Sequence, residues 1–531
     1  MRAIVLVVAV ACTPRSTTNT TASASATASA TVAPSPWANV PGVVIAHSPA
    51  SSKAFIGSPS LVILPDGTYV ASHDLFGPGT QWRTTNVFSS KDRGKTWSPA
   101  STIDGQLWGS LFVHDGALYV IGTDGHYGPI VIRRSRDDGK TWSPATVLRS
   151  DGKFHCAPVP VVEHAGRVWR AFEQQSDPVR WPEGFRAMMM SAPATSDLLD
   201  GKSWTSSDAR AGDGAWLDGA FNGWLEGNAV VAPDGHVVDV LRVDVDSDGP
   251  ERAALVRISD DGKTTSFDPR TSFVAFPGGA TKFTIRFDPT SKTYWTLSNY
   301  VPAPAGHAKA AATRNTLALL ASTDLVGWSL RTVLLHHPDR RKHAFQYVDW
   351  QLDGDDIVAV ARTAFDDGEG GADTYHNANF LTFHRFARFR ELGPKDSVAI
   401  APAAPLEIDA PDFSARADDA AELAPLAAKE DAFSNRDYVW ENVPTRFAGW
   451  RFTRLAGGEK SHVSVTAKRA TTIYAMSHGS PAGWDPVPDA TLTYDDHKHS
   501  RVQVFQHRLD AGQTLDVAQS AWSGTMLLVP K

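Results

Sequence analysis

The chain has 531 residues, 51 of them Lys or Arg and 58 Asp or Glu, for a net charge of −7 at neutral pH. Its length exceeds one ordinary domain and suits a large β domain followed by a smaller one. Charge is spread without a basic block, which excludes a nucleic-acid footprint, and the two cysteines, Cys12 and Cys156, form no CxxC metal pair.

At the N-terminus, Arg2 and the apolar run Ile4 to Ala11 read as an export signal. Ala9-Val10-Ala11-Cys12 resembles a bacterial lipobox, with Ala9 where Leu is usual. Residues 1–12 are therefore read as a signal peptide whose Cys12 carries a lipid; the alternative is a cleaved secretory peptide without one. Residues 13–40, dominated by Thr, Ser, Ala and Pro up to Pro36, cannot bury a core and read as a disordered tether. No later stretch approaches the ~20 apolar residues of a membrane helix. The expected location is outside the cytoplasm, on a bacterial membrane through the lipid anchor.

From about Pro41 to Leu392 two short signals alternate. Ser90-Lys91-Asp92-Arg93-Gly94-Lys95-Thr96-Trp97 and Ser135-Arg136-Asp137-Asp138-Gly139-Lys140-Thr141-Trp142 both match SxDxGxTW, the Asp-box (BNR repeat). Partial copies stand at Ser259 to Thr264, at Ser322-Thr323-Asp324 with Trp328, and at Asp197 with Trp204. Asp and Ser side chains of such a turn bond its backbone amides, and Gly supplies positive φ. Hairpin turns between β-branched runs occur at Asp66-Gly67, Asp115-Gly116, Ala165-Gly166, Asp234-Gly235, Asp288-Pro289 and Asp353-Gly354. The first five are each followed by an Asp-box or its remnant; the sixth leads to Phe380-Leu381-Thr382-Phe383. Two repeats in alternating order predict an all-β fold, a six-bladed β-propeller over 41–392.

Residues 393–435, rich in Pro, Ala and Asp, read as a linker, in which Asp418 to Lys429 has the composition of a short helix. Strand-like runs return over 436–531, as at His462 to Thr466 and Arg501 to Phe505, and predict a small β-sandwich-like domain.

Four motifs resemble the sialidase superfamily over roughly 350 residues. Glu226-Gly227-Asn228, opening a run that ends in Pro233-Asp234-Gly235, resembles the strand of the family's catalytic Glu. Arg242 and Arg314 stand where sialidases place arginines that grip a substrate carboxylate, and Tyr347, before the Asp353-Gly354 hairpin, where they place a nucleophilic Tyr. The resemblance implies a retaining glycosidase in which Tyr347 attacks and Glu226 is its base. Two departures stand out. Gly57, in Gly57-Ser58-Pro59, occupies the first arginine's position, and no acid falls at Gln81 to Thr85, where the family's acid Asp belongs. His73 or Asp74 is then the expected acid.

His155, Arg286 and Arg362 are further candidate substrate-binding groups near strand ends; Lys282 and Tyr375-His376-Asn377 lie at similar points. No phosphate loop or metal set appears, so no cofactor is expected; Asp244, Asp246 and Asp248 read as a solvated acidic loop rather than a calcium site. The reading is an exported, exo-α-sialidase-like glycoside hydrolase acting on a glycan. With one arginine absent, the sugar is a sialic acid, a uronic acid or a neutral sugar. The alternatives are a non-catalytic glycan-binding lipoprotein and a protein-interaction scaffold. The glycosidase reading requires the Tyr347 hydroxyl at about 2.6–3.2 Å from the Glu226 carboxylate, with Arg242 and Arg314 in the same pocket.

Overall fold

The computed structural model describes residues 37–245, 250–302, 310–401, 404–417, 421–434, 436, 438–458, 462–496, 498–517 and 522–531. The leader, Cys12 and the tether up to Pro36 lie outside them, as do Asp246 and Asp248. Among the described residues the chain is all-β, and every helix is a 3-10 turn of three or four residues. None is long and apolar enough to cross a membrane.

Six antiparallel sheets follow one another between Val43 and Phe386. The first runs Phe55–Ile63, Tyr69–Phe76, Thr84–Ser90, Ser98–Asp104 and the second Leu107–His114, Ala117–Thr123, Ile130–Ser135, Thr146–Arg149. The third is built on Lys153–His155, Arg167–Gln175 and Arg186–Pro193, and the fourth on Phe221–Val231, Val237–Val245 and Arg252–Ile258. The fifth runs Thr284–Asp288, Thr293–Asn299, Thr316–Ser322, Ser329–His336. The sixth takes Ala344–Asp353, Asp356–Ala364 and Phe380–Phe386 and receives Val43–His47 from the start of the chain as its outer strand, with Val43 opposite Phe383.

Polar side chains, on the first strands except for Glu173 of Arg167–Gln175, tie each sheet to the next. Ser60 Oγ accepts from Leu111 N at 3.0 Å, and Ser110 Oγ donates to Val159 O at 2.8 Å. Glu173 Oε1 accepts from Gly227 N at 2.9 Å, and Asn228 Oδ1 from Ile285 N at 3.0 Å. Thr284 Oγ1 donates to Val348 O at 2.8 Å, and Asp349 Oδ2 accepts from Leu61 N at 2.9 Å, so the sixth sheet bonds the first. Each bond satisfies a group that would otherwise be buried without a partner. Around them, apolar residues of adjacent sheets pack together: Val70, Val87 and Ile103 with Leu111, Leu118 and Val120, and Leu61, Tyr69 and Phe88 with Val358, Val360 and Phe383. Each such side chain, fully buried, contributes about 1.5–3 kcal/mol.

The two full SxDxGxTW turns repeat bond for bond. Asp92 and Asp137 accept from the Ser hydroxyl two residues before and from the amide and hydroxyl of the Thr four residues after. Gly94 and Gly139 hold φ of 86° and 83°, and Trp97 and Trp142 bond back to their carbonyls at 3.2 Å. At Gly94 a Cβ would also strike the Phe383 ring, 2.2 Å away. The partial copy at Ser322 keeps the geometry, with Trp328 Nε1 donating to Leu325 O at 3.0 Å.

The C-terminal part differs from expectation. Among the described residues of 393–435 there are three strands, Leu406–Asp409, Phe413–Ala417 and Ala421–Pro425, so the described part of the stretch read as a short helix, from Ala421 on, opens with a strand. These strands are integral to two sheets, one of four strands and one of seven, which share a single core including Ile408, Ala415, Trp440, Phe452 and Leu492. Phe413–Ala417 alternates buried and less buried residues, its inward positions being Phe413, Ala415 and Ala417. Small alanines at inward positions gave the stretch the composition of a linker.

Candidate active site

One backbone device recurs at the start of the first strands. Their register against the second strand slips between Ile56 and Pro59, Leu107 and Ser110, Leu225 and Asn228, and Gln346 and Asp349. Such bulges re-aim a side chain out of the pleat. Trp108, Glu226 and Tyr347 stand at three of them with φ of 52°, 59° and 54°. Positive φ in residues of this size is costly, of the order of 1–3 kcal/mol each, and gathers at sites where function requires it.

The re-aimed Tyr347 hydroxyl donates to Glu226 Oε1 at 2.7 Å. The other Glu226 oxygen accepts from Arg242 Nη1 at 2.9 Å, with both side chains only 3% exposed. Burial alone would raise the Glu226 carboxyl, but Arg242, His155 and the bonds from Tyr347 and Arg242 hold it below its ordinary value. Burial and the neighbouring Glu226 raise the Tyr347 phenol, against Arg314, Arg242 and Arg362. The resting pair is thus a neutral phenol hydrogen-bonded to a carboxylate.

Two further guanidinium groups lie over the Tyr347 ring, Arg362 at 4.9 Å and Arg314 at 5.6 Å. Arg314 is fixed by Gln346 Oε1 at 2.7 Å and by Ala311 O at 2.9 Å; Arg362 donates to His376 O and also covers Phe76 at 4.4 Å. Burial and the three arginines push the His376 imidazole well below its usual range, so it is neutral among them. Nε of Arg242 and of Arg362 is buried and, among the described residues, finds no hydrogen-bond partner.

Of the two expected acids, only Asp74 joins this group. Its oxygens accept from Thr85 Oγ1 at 2.7 Å and from Trp108 N at 2.8 Å, and Arg362 acts on it electrostatically. Burial outweighs these contacts and pushes the carboxyl up to about 7. Adjacent strand residues point to opposite faces, so His73 turns away. Its ring stacks on Phe88 at 5.6 Å, Nδ1 meets Asp74 O, and burial takes it down to about 4.

Arg286 is likewise not brought to Tyr347. It donates to Trp350 O and to Asp349 Oδ1 at 3.1 Å, within the join of the fifth and sixth sheets. Lys282 is nearer, donating to Thr284 Oγ1 and Val348 O, and Glu226 helps to hold its charge against burial, which takes it down to about 8.

His155 faces the pair through Glu173, a residue the sequence did not single out. Glu173 is buried; Oε2 meets His155 Nδ1 at 2.8 Å while Oε1 accepts from Gly227 N. It therefore fixes both the imidazole and the bulge that carries Glu226. In sequence it reads as one polar position in Phe172-Glu173-Gln174-Gln175, and no signal there marks it.

Cys156 is a buried thiol, raised to about 12 chiefly by burial, with Sγ against Trp108 O at 3.4 Å. Asp244 accepts from Asn222 Nδ2 at 3.2 Å. Among the described residues no three His, Cys, Asp or Glu side chains converge as a metal site.

No family model and no curated protein matches the chain. Similar solved structures include an α-L-arabinanase of Penicillium chrysogenum complexed with arabinobiose, 15% identical, covering 66% of this chain and 98% of that one at a TM-score of 0.43. The leech intramolecular trans-sialidase is 14% identical over 66% of this chain and 71% of its own, at 0.44. The intramolecular trans-sialidase from Ruminococcus gnavus is 15% identical over 66% and 98%, at 0.42. At this degree of likeness the chemistry has to be argued from the chain's own residues.

Proposed function

We propose that the chain is an exported, sialidase-like glycoside hydrolase built on a closed six-bladed propeller, cleaving a terminal acidic sugar from a glycan with retention. The observation that carries this is the 2.7 Å bond between Tyr347 and Glu226, two residues 121 positions apart that both hold positive φ. Strain at two converging positions fits a reacting pair better than a packing contact.

In the first step the Tyr347 oxygen bonds to the anomeric carbon as the glycosidic C–O bond breaks. The phenol proton passes to Glu226, and protonated Asp74 gives its proton to the leaving oxygen. In the second step water attacks the anomeric carbon, losing a proton to Asp74, while Tyr347 leaves and regains its proton from Glu226. An Asp with its carboxyl near 7 and a Glu held low are the opposite protonation states that this sequence needs.

The acidic sugar is argued from Arg242, Arg314 and Arg362. Gly57 removes the first-strand arginine of the family pattern, and Arg362, from the sixth sheet, supplies a third guanidinium beside Tyr347. The unspent Nε donors of Arg242 and Arg362 suit a carboxylate.

Purified protein assayed on aryl glycosides of sialic, uronic and neutral sugars tests the reading. Turnover confined to the acidic members is expected. Binding without cleavage would make it a glycan-binding protein, and neither would leave an interaction scaffold. Export with a lipid on Cys12 belongs to the same proposal: labelled palmitate should enter the wild-type chain and not Cys12→Ser.

A further inference from the structure

A group of aromatic rings lies beside Asp74 and takes no part in the chemistry above. Trp108 donates its backbone N–H to Asp74 Oδ2, so its position is tied to the acid. Its ring stands edge-on to His155 at 4.4 Å and to His126 at 5.5 Å. His126 in turn stacks on Trp82 at 4.6 Å and 28° and on Tyr127 at 4.2 Å and 29°. A backbone bond from His126 N to Trp82 O at 3.1 Å joins the two loops that carry them. Trp82 and Trp108 hold φ of 53° and 52°. His126 is exposed, and Trp82, Trp108 and Tyr127 are partly so. Two loops and the bulge at Trp108 thus place flat rings side by side, partly open to water and at a cost in backbone strain, with Trp108 and Tyr127 resting on the apolar cores beneath and Trp82 and His126 outermost.

We propose that Trp82, His126 and Trp108 form a subsite for the leaving group, a neutral pyranose ring, so that the substrate is an oligosaccharide in which the acidic terminal sugar is joined to a neutral one. This rests on the reading of Asp74 as the acid. The oxygen that Asp74 protonates belongs to the leaving sugar, so that sugar lies next to Trp108 and extends over Trp82 and His126. An aromatic ring pairs an apolar face with the apolar C–H face of a pyranose, while the sugar hydroxyls stay in water. Although His126 as a residue is open to water, its ring is partly desolvated between Trp82 and Tyr127, which together with nearby His155 disfavours the charged form, so the ledge is uncharged at neutral pH. A neutral partner is thus favoured there, in contrast to the arginine-rich pocket around Tyr347.

Calorimetric titration of the full chain with lactose, maltose, cellobiose and xylobiose tests the subsite without relying on turnover. At least one of the four is expected to bind in the millimolar range. Trp82→Ala and His126→Ala should each weaken that binding about tenfold, and Trp82→Phe, which keeps a flat ring, should restore most of it. Tyr347→Phe should bind the disaccharide as the wild type does. Absence of saturation by all four sugars, or equal loss in Trp82→Ala and Trp82→Phe, overturns the subsite. Full activity of Tyr347→Phe with disaccharide binding intact would instead sink the catalytic reading and leave the ledge standing.

Discussion

The two ends of the same sheets follow different rules. At the SxDxGxTW end, Ser90 to Trp97 and Ser135 to Trp142 make one turn twice, with identical residues in identical bonds. At the other end the backbone device repeats and the side chains do not: the slipped register presents Gly57, Trp108, Glu226 and Tyr347 in turn. At the first end the turn is a repeated closing device. At three of these four slips a different large side chain, Trp108, Glu226 or Tyr347, is re-aimed, so the proposed chemistry would be assembled by varying residues on a constant backbone irregularity.

Substitutions at the two ends should therefore separate activity from stability. The largest effect is expected for Tyr347→Phe, which should lower kcat by about a thousandfold or more with an unchanged thermal transition. Loss of stability in place of activity would make the bulges structural.

Glu173→Gln comes next. A Gln side chain has a single acceptor oxygen, so keeping Gly227 N leaves only its amide for His155 Nδ1 and forces the imidazole into the other tautomer. The change also removes the negative charge beside Gly227, and kcat should fall by about 10–100-fold. Its kcat against pH should also move, which a merely weakened fold would not produce.

The pH profile is a finer probe. The proposed mechanism requires Asp74 protonated and Glu226 ionised, so the alkaline limb should fall near pH 7 and the acid limb below the ordinary Glu value. Thr85→Val removes a donor that favours the Asp74 carboxylate and should move the alkaline limb upward. Stability carries the matching sign. The folded carboxyl lies above its unfolded value, so stability is lost as pH rises from about 4 to about 7 and stays lost above. Asp74→Asn should therefore be inactive yet gain in Tm relative to wild type at pH 8, with little gain at pH 4.

The smallest effect belongs to the opposite end. Asp137→Ala should cost about 1–2 kcal/mol of stability and leave kcat untouched; a change in kcat would show that the two ends are coupled.

Much of this division was legible in the sequence because turns are local. A Ser, an Asp and a Gly at fixed offsets meet whatever the rest of the fold does, so the six hairpins and the two full boxes could be read directly. Tyr347, Glu226, Arg242 and Arg314 were legible through a resemblance in order and spacing. The choice between His73 and Asp74 was not, since consecutive strand residues diverge and only the finished sheet fixes which faces the centre. Arg286 was misplaced for a similar reason: it lies two positions beyond Thr284, at the depth where side chains join sheets. Glu173 acts across three strands, and Trp82 and His126 meet only through their loops, so neither had a local signature.

Gly57 carries a consequence for the redesign of such proteins. A Cβ there would lie 2.8 Å from Asp74 O and 2.9 Å from Asp74 Cβ, so no larger residue enters while the acid's strand stays where it is. On the proposed mechanism, the absence of an arginine at 57 and the use of Asp74 as the acid are then linked, because one position bears on both. An engineer who placed an arginine at 57 would therefore have to move the Asp74 strand in the same design.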